Sequence, residues 1–358
     1  MVRTYCGNPE EHPTYSRQLY TSTDYSRDGE SLILQKASIG KGINLVFMGE
    51  AFVDKDMGDG GKYEQKMKDA MEQFFSIEPY KTFRNRFNVY AMKVVSPNAE
   101  FSSMTQHRIN ESDYICFEYV QKVIGRNPNQ VPMVSVVYNV GDEPAGRSYT
   151  AIYSDGAFVG YMKRGVDNVL NHEVGGHGFA KLMDEYVESI YEDLTLPSEE
   201  REAMDFQWQD WGWGANVDWR SDDNAIKWTH FLHDDLYRNE VGIYEGAYLY
   251  GYGAYRPTMN SMMRYNDTPF NAPSREQIYK CIMQQSEGES WTYNYEDFVR
   301  YDAINRNNAT TRSLKTIPSK EVRDEWKKRH RPPVFVKGIW RDVVKKKQTK
   351  KLTIVPLR

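Results

Sequence analysis

The sequence predicts an α/β fold of the α+β kind, in which helices pack on a twisted mixed sheet and an irregular, aromatic-rich half follows. Three observations carry this expectation. Strand-sized apolar runs alternate with helical stretches between Ile43 and Ser154, the order that a βαβ-like opening requires. Regular periodicity fades after the long helical region that follows Gly165, and aromatic loop-like segments take over. The chain has 358 residues, 40% hydrophobic and 14% aromatic, which is long enough for a large core and too apolar for intrinsic disorder.

Each element has its own reason. Residues 1–39 are polar and turn-rich apart from SLILQ at Ser31–Gln35, so they read as an N-terminal extension. INLVFMGEAF, apolar from Leu45 to Met48 and broken at Gly49, reads as a buried strand. The loop DKDMGDGGK leads into KYEQKMKDAMEQFFSI, where Met67, Ala70, Met71, Phe74 and Phe75 recur at helical spacing. Phe87 to Val95 alternates as a second strand. A second helix runs from a Ser112 cap to a Gly125 stop, and VPMVSVVYNV from Val131 makes a third strand. RSYTAIYS, Arg147–Ser154, makes a fourth, preferably at the sheet edge. VDNVLNHEVGGHGFAKLMDEYVESIYEDL, after Gly165, is the longest helical stretch, and Phe206 to Tyr255 is loop-like. SREQIYKCIMQQS forms a helix capped at Ser274. Residues 40–310 thus form the main domain, and a basic segment, 311–358, packs on it.

Composition narrows the function. A net charge of −4 lacks the excess of Lys and Arg that general nucleic-acid binding needs, so the partner is not DNA or RNA. No run of about 18 apolar residues crosses a membrane. The start, MVRTYCGNPEEHPTYS, has neither the charged nor the apolar region of a secretory signal. Cys6, Cys116 and Cys281 are odd in number and share no C-x-x-C spacing, so neither a disulfide framework nor a cysteine zinc site is indicated. DKDMGDGG lacks the twelfth-position glutamate of an EF-hand, and DMGDGGK lacks the Walker pattern.

The chemistry concentrates at His172-Glu173-Val174-Gly175-Gly176-His177. Neutral imidazoles are the commonest zinc ligands, and a carboxylate beside them can deprotonate an activated water. The spacing is one residue longer than H-E-x-x-H. On a regular helix, positions i and i+5 lie roughly 140° apart, too far for two imidazoles to face one ion. A π-turn brings them back to within roughly 50°, and Gly175-Gly176 suits that distortion. Chance occurrence of the pattern is the competing explanation. His230 and His233 are spaced i, i+3 but sit in an aromatic segment suited to packing.

HEVGGHGFAKLMDEY resembles the active-site helix of the IgA-peptidase family of zinc metallopeptidases, whose pattern is H-E-x-G-H followed by an apolar stretch and D-E-Y. RPTMNSMMRYNDTPFNAPSREQIY resembles the family's later segment with a methionine turn, and the likeness spans Gly40 to about Arg306. The extra residue between the histidines is a departure from the pattern and resembles a variant spacing of gut-bacterial members. The resemblance implies a zincin-like metallopeptidase domain, metzincin-like, with His172 and His177 as zinc ligands and Glu173 as general base. The third ligand falls on Asp184, with Glu185 as the competitor; a chain reversal after Lys181 or Leu182 would swing Asp184 back to the metal. Met262 or Met263 would form the methionine turn. Tyr255 is the candidate oxyanion donor, and Arg256 and Arg264 fit structural roles better than substrate binding. The reaction implied is endopeptidase hydrolysis of a polypeptide or glycoprotein by a secreted, periplasmic or cell-surface bacterial enzyme. Two alternatives stand beside it: a non-catalytic glycoprotein- or peptide-binding protein on a decayed scaffold, and zinc hydrolysis of a non-peptide amide or ester. Oligomeric state is left open.

Overall fold

A computed structural model describes residues 19–102, 104–125 and 130–346. Its strands are β1 (Ser31–Gln35), β2 (Ile43–Glu50), β3 (Phe87–Met92), β4 (Met133–Tyr138), β5 (Tyr149–Tyr153), β6 (Phe158–Met162), β7 (Tyr244–Ala247), β8 (Tyr250–Arg256) and β9 (Val334–Val336). Seven of them form one mixed sheet in the order β1-β3-β2-β4-β6-β5-β9, and β7-β8 form a separate antiparallel hairpin. The central pairs β3-β2, β2-β4 and β4-β6 are parallel, while β1-β3 and β5-β6 are antiparallel. The sheet takes a strand from each flanking segment, β1 from before residue 39 and β9 from after residue 311.

Alternation along β2 shows how the sheet divides the core. Ile43, Leu45 and Phe47 face one apolar cluster and Val46 and Met48 the other, as the two-residue period of a strand requires. On the first face lie α1 (Lys62–Phe74), through Tyr63, Met67, Ala70, Met71 and Phe74, and the π-helix Asn171–Phe179, through Val174 and Phe179. On the second lies α2 (Asp113–Ile124), through Cys116, Phe117, Val120 and Ile124. Strands covered on both faces carry near-continuous apolar runs, and β4, β5 and β6 are buried at every position.

The remaining helices are α3 (Ser198–Trp211), α4 (Thr229–Leu232), α5 (Met262–Tyr265), α6 (Ala272–Glu287), α7 (Tyr295–Asp302), α8 (Asn308–Lys315), α9 (Lys320–Lys327) and α10 (Trp340–Lys346). Several local expectations are corrected. The long helix after Gly165 stops at Phe179, because Lys181 adopts a left-handed backbone, φ 56°, that no continuing helix permits. Residues 206–255 are not all loop, since α3 reaches Trp211 and β7-β8 form a hairpin. The strand over 149–153 is not at the edge, because β9 pairs beside it. The cap of α6 is Asn271, whose side chain accepts from the Ser274 amide, with Pro273 in the first turn. In α6 the buried Arg275 guanidinium donates to Asp302 at 2.7 and 2.8 Å and lies 3.0 Å from Glu240. Cys116 and Cys281 are free thiols, and Cys6 lies outside the described residues.

Candidate metal centre

Gly175 and Gly176 are where neighbours come too close for a side chain. A Cβ on Gly175 would lie 2.9 Å from the Tyr80 ring, and one on Gly176 would lie 2.3 Å from the Met263 sulfur. The Ala180 amide donates to Gly175 across five residues at 3.2 Å, the hydrogen bond that defines a π-turn. The wider turn carries His172 and His177 to one side, with ring centroids 4.6 Å apart. The reversal at Lys181 then returns the chain, and Asp184 Oδ1 lies 3.2 Å from both His172 Nε2 and His177 Nε2.

The far nitrogens fix the tautomers. His172 Nδ1 is 2.9 Å from the Met262 carbonyl and His177 Nδ1 is 2.7 Å from the Leu182 carbonyl. A carbonyl only accepts, so each Nδ1 carries the proton, and each Nε2 of a neutral ring presents a lone pair. Two imidazole nitrogens and one carboxylate oxygen therefore converge, the carboxylate oxygen standing 3.2 Å from each nitrogen. Protons or a cation must stand between them. His172 Nε2 and Glu173 Oε1 have no partner, and all four side chains are buried, Asp184 the most accessible at 3%.

Electrostatics follow from that burial. Desolvation pushes the Glu173 carboxyl up to about 8. Thr150 Oγ1 donates to Glu173 Oε2 at 2.9 Å, which fixes the side chain and leaves Oε1 free. Burial also acts to raise Asp184, but without a metal the charge attraction of His177 and His172 and hydrogen bonds donated from their rings outweigh it and hold that carboxyl well below the ordinary range. Lys181, whose ammonium donates to the Gly156 and Gly178 carbonyls, is pushed down to about 7 by burial.

Glu185 points elsewhere. It accepts from Asn216 at 2.8 Å, Asn271 at 2.9 Å and Ser261 at 2.6 Å, and its amide donates to the Met263 carbonyl. It ties the loop after the π-helix to the Met262-Met263 turn. Arg256 donates to the carbonyls of Glu245 and Gly246, and Arg264 to that of Met259, as structural groups do. Tyr255 stands in β8, where its hydroxyl lies 3.5 Å from Glu245 and its ring packs against the cluster of Trp228, Phe231 and Phe298. His230 Nε2 lies 3.1 Å from Glu276, and His233 is exposed, so neither joins the centre.

Two residues without assigned roles in the sequence reading do join it. His330, in the basic segment after α9, is fully buried, with its ring 4.5 Å from that of His172 and Nδ1 3.9 Å from Glu173 Oε1. Ligand atoms of His172, Asp184 and His330 all lie within 4.8 Å of one another. Neither ring nitrogen of His330 has a partner, nor has the Tyr186 hydroxyl, and Tyr186 packs edge-on to His330 at 5.0 Å. Tyr186 was visible in the D-E-Y string. His330 was a lone histidine among lysines and arginines, with no spacing to mark it. Buried polar atoms left unpaired in such a group signal a missing ion or water.

Residues 215–282 match the model of the IgA Peptidase M64 family. No curated protein matches the chain. The matched stretch holds Asn216, Ser261 and Asn271, which grip Glu185, and Met262, whose carbonyl orients His172. The histidines of the π-helix and Asp184 precede it. Among the described residues no helix is long and apolar enough to cross a membrane.

Proposed function

We propose that this protein is a metal-dependent endopeptidase whose ion is held by His172, His177 and Asp184. The observation that carries the reading is the approach of the Asp184 carboxylate to 3.2 Å from both imidazole nitrogens, each imidazole already oriented by a backbone carbonyl. Two neutral nitrogens and one carboxylate oxygen suit zinc. When bound there, zinc supplies Lewis-acid polarisation of a scissile carbonyl and acidifies a water. The similarity to a peptidase family over 215–282 supports a protein substrate; the further reading is of a glycoprotein cleaved by a secreted, periplasmic or cell-surface enzyme.

Glu173 is the proton carrier. Thr150 holds Oε2, so Oε1 is the atom that takes a proton from water and passes it to the leaving amine. The raised carboxyl pKa fits that task, because a base near neutrality both accepts and returns a proton. Met263 underlies Gly176 and excludes water from behind the ligands. The Tyr186 hydroxyl, unpartnered beside the centre, suits the oxyanion better than Tyr255.

The test is elemental analysis of the purified protein beside His172→Ala and Asp184→Ala, followed by incubation with denatured protein substrates. One zinc per chain, lost in both variants, with hydrolysis abolished by Glu173→Gln while zinc is retained, supports the proposal. Absence of metal after reconstitution with zinc overturns it.

A further inference from the structure

A catalytic metal keeps one position free of protein, whereas a structural one is closed by four protein ligands. Here a fourth group is already in place. His330 brings two unpartnered ring nitrogens into the centre at zero exposure. Its carrier is a surface strap. Between Lys315 and Ile339 the only buried residues are Trp326 and His330, and their rings touch at 3.7 Å. Trp326 also meets the rings of His172 at 5.3 Å and Tyr186 at 5.7 Å. A strap buried only where it meets the metal ligands is built around that contact.

The same strap takes the sheet edge beside the centre. Ser148 donates to the Arg329 carbonyl at 2.8 Å and accepts from the Arg331 amide at 2.9 Å. Beyond Pro332 and Pro333, β9 pairs with β5 in the register Ala151–Val334, Ile152–Phe335 and Tyr153–Val336. β5 also carries Thr150, the partner of Glu173. An extended polypeptide adds most readily to an open strand edge, and this edge, next to the base, is filled by the chain itself. Pro332, Pro333 and Phe335 further wall a cleft of about 230 Å³ that reaches Asp184.

We infer that His330 is a fourth protein ligand of the metal and that the strap 316–336 holds the enzyme in a closed, latent form, standing where a polypeptide substrate would lie. The inference rests on the metal centre proposed above. Opening requires the strap to leave, by displacement or by cutting of its exposed stretch at Thr316–Lys320, where Ile317 is 45% exposed. Cutting there hydrolyses one peptide bond with one water and leaves the metal ligands of the π-helix untouched.

The full-length protein loaded with cobalt(II) gives the test, because its visible spectrum reports coordination without requiring turnover. In wild type the spectrum is expected to be unmoved by acetohydroxamate. In His330→Ala and in Trp326→Ala, which removes the anchor but no ligand, acetohydroxamate shifts the spectrum. His330→Ala also weakens cobalt binding by roughly 100-fold or more, at or beyond the upper end of what loss of a group supporting a ligand costs, and speeds hydrolysis of denatured casein by roughly tenfold or more, as release of a mostly closed population does. A wild-type spectrum that shifts with acetohydroxamate as readily as that of the variants overturns the inference, and so does loss of casein hydrolysis in a His330→Ala protein that keeps its metal. The wild-type measurement stands even where a variant does not fold. If wild type takes up no cobalt, the metal reading falls and the closed form with it; a cobalt site indifferent to His330 removes only the closed form.

Discussion

The Tyr80 hydroxyl donates to the Gly175 carbonyl at 2.7 Å while its ring fills the place where a Gly175 side chain would stand. One residue thus both widens the histidine-bearing turn and forbids a Cβ in it. Met263 plays the second part opposite Gly176.

Gly176→Ala is therefore expected to destabilise the fold by about 1–3 kcal/mol, the usual cost of overpacking. It should also release metal, because relief of the clash turns His172 and His177 apart. Thermal unfolding with and without zinc checks this: a variant that keeps both wild-type stability and zinc uptake would contradict it.

The neighbouring acids should separate cleanly. Asp184→Asn keeps the shape and is expected to lower metal affinity by more than about 100-fold, beyond the roughly 10- to 100-fold that loss of a supporting hydrogen bond costs, with a loss of metal-free stability near neutral pH that disappears in acid, where the carboxylate no longer contributes. Glu185→Ala strands Asn216, Asn271 and Ser261, all buried, and should cost on the order of 2–4 kcal/mol. Calorimetric zinc titration and denaturant unfolding of both variants read the two effects independently.

Glu173 makes metal-free stability depend on pH in a defined direction. Its folded carboxyl titrates at about 8, against about 4.3 in the unfolded chain, so the folded state holds the extra proton. The stability it contributes is complete below about 4.3 and is lost as pH rises through about 8. The urea-unfolding free energy of the metal-free protein should fall across that window by an amount on the order of a few kcal/mol, with the urea midpoint falling alongside it, and Glu173→Gln should flatten the trend. Asp184, whose carboxyl is held low, acts oppositely and below that range: its contribution is present above about 3.9 and is lost as pH falls.

Arg275 is locked between Asp302 and Glu240 at zero exposure. Arg275→Ala leaves two buried carboxylates without their cation and should cost about 3–5 kcal/mol, seen as a lower thermal midpoint without change in zinc affinity per folded molecule.

What the sequence made legible was local. The need for a π-turn followed from five-residue spacing around a Gly-Gly pair, whereas the reversal after Lys181 was an expectation that only the family resemblance supplied. α3 was hidden because only Met204 of its residues is buried, so no apolar stripe marks it. β6 was obscured by Gly160, whose absent side chain makes room for Val174 and breaks the strand pattern. β9 is three residues long and His330 stands alone. Their importance comes from contacts with β5 and His172 that no local window contains.

The β5–β9 pairing also sets an order of assembly. Synthesis delivers the histidines, Asp184 and the family-like stretch long before residues 334–336, and domains begin to fold as they emerge. Until β9 arrives, β5 is a bare terminal strand with all five residues apolar or hydroxyl-bearing, the kind of edge that templates association between chains. Once paired, β9 leaves only a three-residue strand at that edge, too short to template association well, so the pairing guards the finished sheet as well as occupying the edge beside the base.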